Sequence, residues 1–258
     1  MRVPVLMYHE LLAPGAAPLR ADPGYTRYVV TRDAFRTHLA IVRSAGRTGC
    51  ALGELLDGSE ERVVALSFDD GCASDLDVAA PLLDEYGFRA TFFLTTAWLD
   101  KPGFLTAAGV RELAQRGFEI GSHSVSHAYL SDLDDTRLRA ELADSKDRLE
   151  QIVGSAVRQL SCPGGRWSPR VADAARAAGY VAVADSRPVP HRAGGNRLRI
   201  GRFAVFEDTG PEEIERLATR GSSGRARLRA AALDSARAIL GNRRYDRLRR
   251  SLMERGRP

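Results

Sequence analysis

Short apolar runs alternate with helical patterns along this chain. The runs "VPVLMYH" (3–9), "RVVALSF" (62–68), "RATFFLTT" (89–96), "FEIGS" (118–122), "VRQLSC" (157–162), "YVAVA" (180–184) and "RLRIGRFAV" (197–205) read as strands, rich in β-branched and aromatic residues and bounded by turn formers. Helical spacing of apolar residues fills the intervals over 32–45, 74–86, 106–116, 134–153 and 168–178. Thr31 and Thr106 open two of these patterns, and Gly46, Gly87, Gly117, Gly154 and Gly179 close the five. That is the usual asymmetry of helix ends. Strands alternating with helices imply a parallel sheet covered by helices, and about seven such units suit a closed (β/α) barrel better than an open sheet. Two further helical patterns, about 226–240 and 243–254, look like an appendage. The expected organisation is a main unit over 1–210 and a basic helical extension over 211–258.

Composition adds little to this picture. The chain has 258 residues, 44% apolar and 28% charged, which suits a soluble α/β protein. No run approaches the ~18–20 apolar residues of a membrane span. The N-terminus, "MRVPVLMYHE", lacks the longer apolar segment and small-residue cleavage site of a signal peptide. A cytoplasmic location is therefore expected. Cys50, Cys72 and Cys162 are scattered and form no CxxC pair, so a disulfide framework and a thiolate zinc site are both disfavoured.

Charge is distributed unevenly. The net charge is +5, yet from Pro211 onward thirteen arginines face six acids, which leaves the rest slightly acidic. Such a tail suits an anionic surface or a solvated helix face. It carries a single aromatic residue, Tyr245, and no nucleic-acid-binding module, so nucleic acid is not an expected partner.

Chemistry is concentrated in two places. In "ALSFDDGCAS" (65–74) an apolar strand ends on two adjacent acids, Asp69 and Asp70, followed by Gly71. Burying neighbouring carboxylates is costly unless something compensates. Successive strand residues point to opposite faces, so both acids reach one site only if the strand geometry breaks there. One reading places a cation between them, bound by one carboxylate while the other stays free as a base. The other makes them an N-cap pair for the helix starting near Ser74. In "GSHSVSHAYL" (121–130), His123 and His127 stand four apart after a strand, a spacing that lets two imidazoles grip one ion. Two imidazoles and a carboxylate leave coordination positions open, as a catalytic metal requires.

"SFDDG" (67–71) and "HSVSH" (123–127), with their spacing and preceding strands, resemble the first two motifs of the polysaccharide deacetylase family, the NodB-homology fold. The resemblance covers roughly residues 1–205. It implies a distorted (β/α)7 barrel, with Asp70, His123 and His127 as metal ligands and Asp69 as general base. Zn²⁺ is the expected ion. The resemblance also reaches "LSCPGGRW" (160–167), where Pro163 and Gly164 match a substrate-binding turn. The arginine that the family often carries two residues before this proline is replaced by Ser161, and Arg166 is one candidate to stand in for it. The family's late Leu-x-His is absent. Instead "PVLMYHEL" resembles the opening of the circularly permuted biofilm-polysaccharide deacetylases, which gives His9 the role of general acid. Tyr8, Trp98 and Trp167, near predicted strand ends, are candidates to line a sugar site.

The function that follows is metal-dependent removal of N-acetyl groups from a polysaccharide or glycolipid sugar. The substrate is an N-acetylated glycan or polyprenyl-linked sugar, and the basic tail is a candidate contact with the inner face of an anionic membrane. Two alternatives stay open: a deformylase or other amide hydrolase acting on a lipid-linked amino sugar, and a catalytically impaired glycan-binding protein.

Overall fold

A computed structural model describes residues 2–58, 62–192, 194–221 and 224. Seven parallel strands form the frame: β1 (Val5–Tyr8), β2 (Val63–Asp70), β3 (Thr91–Leu94), β4 (Glu119–Ser122), β5 (Gln159–Ser161), β6 (Ala182–Ala184) and β7 (Phe203–Ala204). Their order across the sheet is β6-β5-β4-β3-β2-β1-β7. The sheet curls into a distorted (β/α)7 barrel. Its seam is bridged by the last run, where Ile200 pairs with Ala184 of β6 and Phe203, three residues on, pairs with Leu6 of β1. The first and last staves are therefore neighbours.

Helices cover the outside: α1 (Arg32–Ser44), α2 (Ala80–Glu85, entered through a π-helical turn Asp75–Ala79), α3 (Ala107–Gln115), α4 (Asp135–Val153), α5 (Pro169–Ala177) and α6 (Pro211–Arg220). Thr31, Thr106, Asp134 and Ser168 each accept a first-turn N–H, which stops the preceding segment from running on as helix. One expectation shifts at the boundary set at residue 210. Helix α6 buries Ile214, Leu217 and Ala218 in the same core as the other helices and packs on α1, so the barrel unit runs through at least Arg220. The patterns at 226–240 and 243–254 lie outside the described residues. A short strand, Thr48–Cys50, also pairs with the first half of β2. Among the described residues no helix is long and apolar enough to cross a membrane.

Strand parity divides the core. Leu6, Tyr8, Leu66, Phe68, Phe92 and Leu94 face the helices. Val5, Val63, Ala65, Phe93, Ala182, Ala184 and Ile200 pack together inside the barrel. This period-two alternation decides which chain ends reach the site: on β2 the inward series is Val63, Ala65, Ser67, Asp69.

Candidate active site

Asp69 ends that inward series, buried at 3% exposure. A regular strand would turn the next residue, Asp70, out toward the helices. Instead Asp70 takes φ 84° and Gly71 φ 82°, and the left-handed backbone brings both carboxylates to the same cleft. The break expected at Gly71 thus starts one residue earlier. The helix-capping alternative is excluded: among the described residues no helix N–H donates to either acid, and Asp70 Oδ1 is buried without a hydrogen bond.

His123 follows β4 and is 1% exposed. Its Nδ1–H donates to the Ser161 carbonyl at 2.9 Å, a tautomer assigned from the network that leaves Nε2 as a lone-pair donor. His127 sits at φ 62° at the end of a tight loop. Glu141 of α4 fastens this loop by accepting the N–H groups of Val125 and Ser126 at 2.8 and 2.9 Å. The His127 ring stacks on Trp98 with centroids 4.9 Å apart. The two Nε2 atoms lie 3.6 and 3.3 Å from Asp70 Oδ1, and one ligand atom from each of Asp70, His123 and His127 falls within 4.8 Å of the other two. A buried carboxylate oxygen without a hydrogen bond, between two imidazole nitrogens, fits a divalent cation.

Electrostatics agree with that donor set. Burial would raise the Asp70 carboxyl, but His127, His9 and His123 outweigh it and hold it below the usual carboxylate range. Burial also pushes His123 down to about 4, despite Asp69, so it is neutral at physiological pH, as a ligand must be.

Asp69 is held by Arg202. Nη1 donates to Oδ1 and Nη2 to Oδ2, each at 2.7 Å. Nη2 also donates to Ser161 Oγ at 2.8 Å, Nη1 to Ser67 Oγ at 3.3 Å and Nε to the Asp185 carbonyl at 3.1 Å. All five N–H donors of this 0% exposed guanidinium are therefore matched. Burial alone would raise Asp69, but Arg202 and His123 bring it down to about 2.

These groups open onto a cleft of about 290 Å³, also lined by His9, Tyr25, Tyr28, Trp98, Tyr129 and Gly164. A second hollow, of about 330 Å³, lies around Glu119 and Gln159 at the opposite strand ends and contains none of the candidate residues.

Residues 57–183 match the family model described as polysaccharide deacetylase. This segment belongs to the polysaccharide deacetylase family. The Bacillus subtilis protein YxkH is 28% identical over 193 residues, 72% of this chain and 65% of that one. A Bacillus cereus peptidoglycan-N-acetylglucosamine deacetylase is 30% identical over 128 residues, 48% of this chain and 57% of that protein. The chain thus spans about three-fifths of the length of these curated relatives. Among solved structures, the Streptococcus pyogenes deacetylase PplD in complex with acetate superposes with a TM-score of 0.73 at 23% identity, covering 83% of this chain and 96% of that one. IcaB from Ammonifex degensii superposes with a TM-score of 0.71 at 22% identity, covering 84% and 97%. At these identities the superpositions establish the fold of a polysaccharide deacetylase.

Within this cleft the sequence candidates fare differently. His9 follows β1 on the inward side, its ring 4.6 Å from Tyr28 and its buried Nδ1 without a partner. Gly164 lines the cleft over the buried Pro163. Tyr8 does not. Being one residue from His9, it faces outward, packs against Phe35 and Phe68 at 5.0 and 5.4 Å, and shares a 3.2 Å hydrogen bond with His38. Trp167 also lies off the cleft, where its Nε1–H donates to the Leu198 carbonyl at 2.6 Å and Arg199 covers its ring at 4.1 Å. Arg166 stacks over Tyr129 at 4.9 Å, and the guanidinium on Asp69 is that of Arg202 instead. The run "RLRIGRFAV" carries three arginines, Arg197, Arg199 and Arg202, and nothing local in it singles out Arg202 as the buried one that needs an acid partner.

Proposed function

We propose that this chain is a metal-dependent N-deacetylase that hydrolyses the acetamide of an N-acetylated glycan. One observation carries the reading: three ligand atoms of Asp70, His123 and His127 converge within 4.8 Å, beside a buried acid, Asp69, that is not part of the triad. Two nitrogens and one oxygen with open positions suit Zn²⁺. Bound there, such an ion polarises a carbonyl and lowers the pKa of water toward about 7.

The chain's own groups supply the rest. Asp69, fixed by Arg202, takes a proton from the water as its oxygen adds to the amide carbon. Within the turn after β5, the N–H groups of Gly165 and Arg166 are spent on Cys162 and Pro163 carbonyls. The Gly164 N–H has no such partner and is the donor assigned to the developing oxyanion. When the C–N bond breaks, the leaving nitrogen needs a proton, because an amide anion leaves poorly. His9 carries it. Burial lowers His9, against the pull of Asp70 and Asp69; the proton that Asp69 takes from the water is the one passed through His9 to the leaving nitrogen, which returns both groups to their starting state.

The substrate class rests on kinship with glycan deacetylases such as the Bacillus cereus enzyme. A polyprenyl-linked sugar and an anionic membrane contact depend on the basic tail, most of which lies outside the described residues. The test is metal analysis of the purified chain with acetate release from N-acetylglucosamine oligomers. Asp70→Ala should lose both metal and turnover, and Asp69→Asn should keep metal and lose turnover. Full acetate release by Asp70→Ala would overturn the proposal.

A further inference from the structure

The proposed reaction leaves one wall of the cleft without a task. That wall is the segment from Ala13 to Val29, between the strand pair Leu11–Leu12 and Val30–Thr31, and it brings Arg20 to the cleft. The Arg20 guanidinium lies 5.0 Å from the Trp98 ring centroid and 5.5 Å from that of Tyr25. Among the described residues no carboxylate, carbonyl or hydroxyl accepts a hydrogen bond from it. The nearby acids are engaged elsewhere: Asp22 Oδ1 accepts the Tyr25 N–H at 3.0 Å, both Glu10 oxygens accept the Leu19 N–H at 3.1 Å, and Asp69 is matched by Arg202. Trp98 in turn stacks on His127. Arg20 is thus one aromatic ring removed from a candidate metal ligand, a span that a substituent on the same sugar or the next one can cover.

A guanidinium held by aromatic faces keeps its planar fork of donors, which matches carboxylate or phosphate oxygens two at a time. Arg166 lines the same cleft. A neutral glycan would use Arg20 only as a stacking surface. We propose that Arg20 reads an anionic substituent of the glycan, a carboxylate or a phosphate, so that the favoured substrate is an acidic N-acetylated glycan. This rests on the deacetylase reading, and the experiment separates the two.

Binding by calorimetry and acetate release are measured on the full, metal-loaded chain with three probes. These are neutral tetra-N-acetylchitotetraose, a tetrasaccharide of alternating N-acetylglucosamine and N-acetylmuramic acid, and a chitooligosaccharide ending in a phosphate monoester. An acidic probe is expected to bind about tenfold more tightly than the neutral one at low salt, with the preference shrinking as salt is added. Which acidic probe is preferred distinguishes carboxylate from phosphate. Arg20→Gln is expected to bring the acidic-to-neutral ratio close to one. Equal binding of all three probes, or a preference that survives in Arg20→Gln, overturns the proposal. An Arg20-dependent preference without acetate release would sink the deacetylase reading and leave the anion subsite standing. Acetate release without preference would do the reverse.

Discussion

Arg202 grips Asp69 by two parallel hydrogen bonds of 2.7 Å across 133 positions of chain. Both groups are buried, so the pair must be judged as a unit. Arg202→Met leaves the carboxylate unpaired and is expected to cost about 3–5 kcal/mol. The double variant Asp69→Asn/Arg202→Met should be more stable than Arg202→Met alone, because the stranded charge is gone. Urea unfolding of the three chains checks this. Acetate release by Arg202→Met should fall by about 100-fold or more, as the base loses its orientation.

Glu141 touches no candidate ligand, yet it fastens the loop that carries His127. Glu141→Ala should weaken metal affinity by about 10–100-fold, the usual effect of losing an outer support. A competitive chelator titration reads this directly, and an unchanged affinity would show that the loop holds itself.

The metal-free chain should lose stability in two steps as pH falls. Burial holds His123 and His38 at about 4, below the ordinary value of about 6.5. Between those values the unfolded chain binds more protons than the folded one, so stability is full above about 6.5 and falls toward about 4. Asp69, depressed to about 2, adds stability present above its ordinary value of about 3.9 and lost as pH falls through about 2. Urea midpoints across this range for the chelator-treated chain should show both losses. His123→Gln should shrink the first.

Tyr8→Phe separates a core role from a sugar-binding one. It removes the hydroxyl paired with His38 and keeps the ring between Phe35 and Phe68. Stability should fall by about 1 kcal/mol, with KM for the glycan unchanged. A raised KM would place Tyr8 back in the cleft.

The barrel and the convergence of Asp70, His123 and His127 were legible because both are written locally. Strand and helix periods, the Thr31 and Thr106 caps, and the two motifs after β2 and β4 need no distant partner to be read. Arg202 was not legible in that way. Its acceptors come from β2, β5 and the residue after β6, and only closure of the seam brings them together. The Tyr8 expectation failed on parity: without a left-handed break like the one at Asp70, adjacent residues face opposite ways, and His9 already faced the cleft. Trp167 sits past the Pro163 turn, where no period predicts a side chain's direction. The strand Thr48–Cys50 is three residues long and contains a glycine, too little pattern to stand out.

Two of the three candidate ligands, Asp70 and His127, occupy left-handed backbone that side chains ordinarily avoid. Glycine at either position would relax the chain and abolish the grip on an ion. Selection for robustness alone would therefore erase this site first. Descendants that outlived their substrate would become sturdier and inert through changes at these two codons.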